Sequence, residues 1–191
     1  MRRCILLFMA LTIVFWMALC SCATVPAENT SPIDWEVYFS PNGGCTDAIV
    51  RELDKAQSTV LVQAYSFTSY KIAKGLLDAH KRGIKVEIVL DKSQKSDQYS
   101  SADFLANSGM SVKIDSKHAI AHNKVMVIDG ETVITGSFNF TKAAEENNAE
   151  NLLVIRDKKL AERYTENWQQ HSGHSEVYRG KEKQEFRRYD E

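Results

Sequence analysis

The 191-residue chain has no surplus of positive charge: 24 Lys and Arg face 25 Asp and Glu, a formal net charge of −1. A basic field over the whole domain, the usual footprint of nucleic-acid binding, is therefore excluded, and any attraction to a polyanion has to be local. Cysteine is scarce as well. Of four, Cys4, Cys20 and Cys22 lie in the first 22 residues and only Cys45 falls beyond them. One cysteine builds neither a disulfide framework nor a cysteine-based zinc site, and Cys45 reads as a small buried residue near a helix start. No carboxylate cluster and no His/Cys ligand set is apparent. No segment repeats another, which matters below.

What is present begins with a leader over 1–22. Met1-Arg2-Arg3 is basic, Ile5–Leu19 is apolar apart from Thr12, and the small residues Ser21 and Ala23 follow, the pattern of an export signal. Leu19-Cys20-Ser21-Cys22 is similar to a bacterial lipobox and makes Cys22 a candidate for lipidation. Simple cleavage and an uncleaved anchor are the alternatives, the apolar run being just long enough to span a bilayer. The expected location is periplasmic or secreted, with membrane contact through leader or lipid. Residues 23–34 are polar, carry two prolines and read as a linker.

From there to residue 171 strands and helices alternate, at a length suited to one domain. Near-continuous apolar runs such as Thr59–Ala64 (TVLVQA) and Lys85–Asp91 (KVEIVLD) predict strands buried on both faces. Helical stripes are predicted over Thr46–Ser58, Ser69–Arg82, Asp97–Ser108 and Lys159–Gln170. The expected fold is α/β: a mixed, mainly parallel sheet covered by helices on both faces. Residues 172–191 read as a polar, solvated tail.

The chemistry concentrates in His122-Asn-Lys124-Val-Met-Val-Ile-Asp129-Gly-Glu-Thr-Val-Ile-Thr-Gly136-Ser137-Phe-Asn139. His122 and Lys124 are two apart on a strand and share a face. Asp129-Gly130 signals a tight hairpin. A loop of two residues sets His122 opposite Ser137, and one of four sets it opposite Asn139. Either even loop gathers His122, Lys124, Ser137 and Asn139 on one face. A cation, a hydroxyl and a carboxamide suit a tetrahedral oxyanion, and an imidazole can attack it.

This stretch matches H-x-K-x₄-D-x₆-G-S-x-N at every fixed position, and six fixed residues coincide by chance at roughly 10⁻⁸ per start point. The chain resembles the phospholipase D superfamily. Ala64-Tyr65-Ser66-Phe67-Thr68, Phe140 to Glu145 and Asn148-Ala149-Glu150-Asn151 resemble its small exported bacterial endonucleases, so the likeness runs from about Val37 to Trp168. The resemblance implies a phosphodiesterase in which His122 attacks phosphorus to give a phosphohistidine. Lys124 and Asn139 hold the non-bridging oxygens, Ser137 supports them, and Glu150 hydrogen-bonds the histidine. Asp129 is either structural at its turn or directly chemical. The family uses two such motifs per site, so one motif per chain implies a homodimer sharing an active site on its twofold axis. It also implies no cofactor and no catalytic metal. Expected substrates are DNA or RNA, with phospholipid head groups the alternative and a non-catalytic nucleic-acid-binding module the remote one.

Several residues have blander readings. His118 is a metal partner or, better, a solvent or substrate-edge residue, and His171 and His174 read as solvated. Lys113, Lys117 and Lys124 form a local basic lip or are merely hydrated. Tyr65 and Phe67 stack bases or pack at the rim. Leu160, Tyr164 and Trp168 are assigned to the core.

Overall fold

The computed structural model describes residues 33–181; the expected leader with Cys22, most of the linker and the end of the tail lie outside them. The strands are β1 (Asp34–Ser40), β2 (Thr59–Ala64), β3 (Lys85–Asp91), β4 (Ser111–Asp115), β5 (Lys124–Ile128), β6 (Thr132–Gly136), β7 (Glu150–Arg156) and β8 (Glu176–Tyr178), with near-continuous apolar runs in the central β2, β3 and β5. The helices are α1 (Cys45–Lys55), α2 (Tyr70–Lys81), α3 (Ala102–Asn107), α4 (Lys142–Glu146) and α5 (Lys158–His174). Three of them start at a side-chain cap. Ser69 caps α2 by accepting from Ile72 N, Thr141 caps α4 at Ala144 N, and Asp157 caps α5 at Leu160 N.

All eight strands form one sheet in the order β1-β7-β6-β5-β2-β3-β4-β8. The sheet is mixed, as expected, but not mainly parallel: only β2–β3 and β3–β4 run parallel among its pairings. The reason is connection length. Helices α2 and α3 supply the long crossovers that parallel neighbours need, whereas β5, β6 and β7 follow through shorter connections that favour antiparallel pairing.

Helices cover both faces. The larger core sits under α1 and α2, where Ile49, Leu53, Ile72 and Leu76 meet Val62, Ile88, Met126, Phe138 and Phe140. A smaller one sits under α5, where Ala161, Leu160 and Tyr164 meet Val125, Val127 and Val133. Trp168 joins that layer and donates its indole N–H to Val62 O at 2.9 Å. Cys45 is fully buried at the first turn of α1, and burial pushes its thiol up to about 11.

Three elements differ from the sequence reading. The helix expected over Asp97–Ser108 shortens to α3 (Ala102–Asn107), and ahead of it lies a 3₁₀ turn (Lys92–Lys95) that Asp91 caps by accepting from Ser93 N. Helix α5 continues to His174, and β8 then pairs with β4 from Glu176 to Tyr178, so residues 172–178 belong to the fold and not to a tail. The hairpin register differs most. Asp129 and Gly130 take positive φ (55° and 66°) and Glu131 N donates to Ile128 O, the two-residue turn their sequence predicts. Yet Ile128 pairs with Thr132, leaving Glu131 as an inserted bulge residue whose carbonyl accepts instead from Asp157 N. The loop is therefore odd.

Asp129 is a bracket. Its carboxylate accepts from Gln57 N, Ser58 N, Ser58 Oγ and Thr59 N at 2.8–2.9 Å, fastening the α1–β2 loop to the hairpin. Burial opposes its charge, but those bonds prevail and hold the carboxyl below its ordinary range. Asp129→Ala should cost about 2–3 kcal/mol in urea unfolding, from charge-assisted bonds each worth ~1.5–3 kcal/mol in part-exposed surroundings. Because the folded pKa is depressed, the wild-type advantage should be complete above about pH 5 and shrink as pH falls below ~4. An advantage that grew on acidification would contradict this role.

Candidate active site

The site forms where β2 and β5 end together. Ala64 pairs with Lys124, and one step on, Tyr65 N donates to Asn123 O at 2.8 Å. That pairing carries His122, just before β5, to the mouth of the sheet, exposed to solvent. Lys124 is only 6 % exposed, and its Nζ donates to His122 O at 2.9 Å. The same nitrogen lies 2.9 Å from both ring nitrogens of His122, so the ammonium packs directly against the imidazole ring. Burial pushes the Lys124 amine below the ordinary lysine range, and the charge of Glu150 pulls it back up. Tyr65 completes the group, its ring 4.5 Å from the His122 ring and 5.2 Å from Lys124 Nζ.

The loop after β2 is held from two sides. Phe67 N donates to the buried Gln94 Oε1 at 3.0 Å, and Ser101 N to Phe67 O at 2.8 Å. On its other flank Phe140 N donates to Ser66 O, and Thr68 N and Ser69 N donate back to Phe140 O. Asn139 is thus brought beside the same loop as His122. Its Oδ1 is buried without a hydrogen-bond partner, an uncommon state in a folded interior. Phe67 is core, fully buried edge-on against Phe140; Tyr65 alone faces the site.

With the odd loop, His122 falls in register with Phe138 and Lys124 with Gly136, so simple alternation would turn Ser137 and Asn139 away from Lys124. The strand breaks that alternation at Gly136 (φ 145°), after which Ser137 N and Phe138 N both donate to Asn151 O. Phe138 drops into the core and Ser137 stays exposed, its Oγ accepting from Asn151 N and Nδ2. The expected gathering of four side chains on one flat hairpin face is corrected accordingly: His122 and Lys124 share a strand, and Asn139 arrives by the loop beyond Gly136. Ser137 is engaged with β7.

Glu150 opens β7 and accepts from Asn148 Nδ2 at 3.2 Å; within this chain no hydrogen bond joins it to His122 among the described residues. Asp129 stands at the opposite end of β5, roughly 20 Å away at about 3.3 Å per residue, which removes it from the chemistry. The basic lip also disperses, since Lys113 Nζ is spent on Ser172 O and Oγ. Asp91 was not foreseen. Buried at the end of β3, it accepts from Ala121 N at 2.7 Å and so fixes the residue preceding His122; a lone Asp ending a strand carries no distinguishing sequence signal.

A histidine packed against a buried ammonium at the strand ends of an α/β sheet, with a spare carboxamide in the adjoining loop, is a set of groups that suits a phosphoryl group. Comparison with known proteins agrees. A family model described as cardiolipin synthase, PLD-like domain, matches residues 49–172. A phospholipase D of Rickettsia conorii is 45 % identical over 130 residues, covering 68 % of this chain and 65 % of that protein, just under two thirds of its length. A mitochondrial cardiolipin hydrolase of Chlamydomonas reinhardtii is 34 % identical over 108 residues, covering 56 % of this chain and 48 % of its own. Among solved structures, the phospholipase D family member Nuc from Salmonella typhimurium superposes with a TM-score of 0.75 at 40 % identity, covering 78 % of this chain and 99 % of Nuc. The chain belongs to the phospholipase D superfamily.

The approach of β6 to β7 leaves no room beyond Gly136: a Cβ there would sit 2.3 Å from Asn151 O. Gly136→Ala should destabilise the protein by at least ~2 kcal/mol through the clash and the disfavoured φ. Thermal unfolding measures it. A melting temperature equal to wild type would show that the β6–β7 contact yields more easily than this geometry allows.

Proposed function

We propose that this protein is a phosphodiesterase working through a phosphohistidine on His122, with nucleic acid as its preferred substrate. The carrying observation is the pairing of an exposed imidazole with the buried Lys124 ammonium 2.9 Å from it. Substrate arriving at this pair meets a fixed cation for its non-bridging oxygens, and Asn139 adds a carboxamide. His122 then attacks phosphorus and the alkoxide leaves. That alkoxide needs an acid, and the later hydrolysis of the phosphohistidine needs a base for water. One histidine, already bound to phosphorus, can be neither.

The second histidine comes from a second chain. An edge-strand feature supports pairing of two copies. Ile33, Trp35, Val37 and Phe39 alternate along one side of β1 and remain 39–64 % exposed, an apolar stripe that runs up to the sheet end where His122 sits. Contiguous exposed apolar surface of this kind marks an interface.

The nucleic-acid reading rests on the open position of His122 and on Tyr65, a flat ring beside it able to take a stacked base. Phospholipid is the second reading, favoured by the names of the Rickettsia and Chlamydomonas relatives. Purified protein offered plasmid DNA, single-stranded DNA, RNA, phosphatidylcholine and cardiolipin in parallel should cleave the nucleic acids at least about tenfold faster. A rapid quench with a slow substrate should trap an acid-labile, base-stable phosphoryl group on the peptide containing His122. Faster turnover of lipid would reassign the substrate, and phosphorylation elsewhere would remove His122 as nucleophile.

Shared sites have their own signature. Wild-type and His122→Ala chains refolded together in equal amounts, with subunit exchange demonstrated, should keep about a quarter of wild-type activity, because only doubly wild-type pairs work. Activity should follow the square of the wild-type fraction. A linear dependence would place a complete site in each chain.

A further inference from the structure

Asp115 ends β4 with its side chain fully buried, and three imidazoles converge on it from two directions. Its Oδ2 lies 2.7 Å from His171 Nδ1, 3.1 Å from His118 Nδ1 and 3.2 Å from His174 Nε2. The rings crowd together, with centroids 4.8, 5.2 and 5.4 Å apart. We propose that Asp115, His118, His171 and His174 form a binding site for a divalent transition metal of the zinc class, which clamps the loop leading to His122 against the end of α5.

The donor set and its size support this. Three imidazole nitrogens and one carboxylate oxygen make a closed four-ligand set of the kind that suits zinc. Their ligand atoms all lie within 4.8 Å of one another. A tetrahedral site with bonds of about 2.0–2.1 Å has edges of roughly 3.4 Å, so small side-chain rotations close this set around an ion. The surroundings hold the set in place. Lys117 N donates to Asp115 Oδ1 at 3.0 Å, Lys92 Nζ donates to His118 O at 3.1 Å, and Lys113 anchors Ser172 between the two helical histidines. Oriented ligands with hydrogen-bonded supports characterise metal sites.

Two simpler accounts fall short. Histidines in the last turn of a helix complement its dipole, but that gives no reason for His171 and His174 to meet His118 from another element. Hydrogen bonding to Asp115 accounts for His171 and His118, and leaves His174 with a 3.2 Å ion-pair contact to the same, already shared Oδ2. Its Nε2 is buried and makes no well-aligned hydrogen bond there or elsewhere. A metal ion gives that nitrogen a partner. The cluster also stands apart from the catalytic centre and does not depend on the activity assigned to it. Lys124 and Asp115 lie at the same end of the sheet but three strands apart, roughly 14 Å at about 4.8 Å per strand. The site is structural: the loop 116–121 joins Asp115 to His122, so fixing His118 fixes the approach to the nucleophile. The expectation that the chain holds no histidine ligand set is corrected, because α5 folds back on β4 and brings residues 56 positions apart into contact.

The test uses the full chain, stripped with chelator, gel-filtered and titrated with zinc chloride alone. One zinc per chain should remain after a second gel filtration, with a raised melting temperature. Cobalt(II) in its place should show the intense visible bands of tetrahedral coordination. His171→Gln and His174→Gln should each weaken zinc binding more than about tenfold, the scale on which even supporting residues are felt. His80→Gln, on α2 outside the cluster, should leave it unchanged. Should a helical variant misfold, His118→Gln, the most exposed of the three rings, carries the same expectation. Wild-type protein that keeps no zinc, a weak octahedral cobalt spectrum, or binding indifferent to the cluster variants would each overturn the proposal.

Discussion

The antiparallel pairing of β5 with β2 is the junction on which the molecule depends. On one side lie the parallel strands β2, β3 and β4; on the other lies the antiparallel run β5, β6, β7 and β1. The Ala64–Lys124 pair joins the two at the mouth of the sheet, and everything chemical follows from it. It sets Tyr65 against His122, aims the Lys124 ammonium, and leaves the β2 loop free to receive Phe140 from the opposite flank. Backbone hydrogen bonds alone would not hold an ammonium inside a protein at this depth. Burial opposes its charge, and the site offsets that cost with the His122 carbonyl, the Tyr65 ring face and the field of Glu150.

The strands were legible because their period is short and their boundaries are chemical. Thr59–Ala64 and Lys85–Asp91 are bounded as the residue pattern predicts. The hairpin turn was legible too, since Asp-Gly selects positive φ at both positions. What could not be read was Glu131. Nothing in a glutamate announces that it will be bulged out, because the cause lies in β7, whose following residue Asp157 claims its carbonyl. The odd loop that results was compensated at Gly136, so the motif residues still reach one region by a different path.

The far end of the chain was misread for a related reason. Between Gln170 and Tyr178 the residues are mostly polar, and polarity alone suggests solvent. Their order comes from tertiary partners: Lys113 under the α5 terminus, Asp115 under its histidines, and β4 offering an unpaired edge to β8. Propensity is a weak prior where such contacts exist. A D-x-x-H before the strand bearing His122 and an H-x-x-H on a helix face were both present in the sequence. Only the fold shows that they address the same point.

Asp129 gives the motif a further meaning. Its carboxylate clasps the loop at one end of β2, while His122 sits at the other end, beside Tyr65. The seven-residue interval between the motif's histidine and its aspartate is therefore a ruler, cut to the length of the strand it lies along. Both ends are gripped, so the strand has no slack. A single residue gained or lost between them would break one grip or the other, and would turn Lys124 from one face of the sheet to its reverse. The spacing of the motif is thus as much a statement about sheet dimensions as about chemistry.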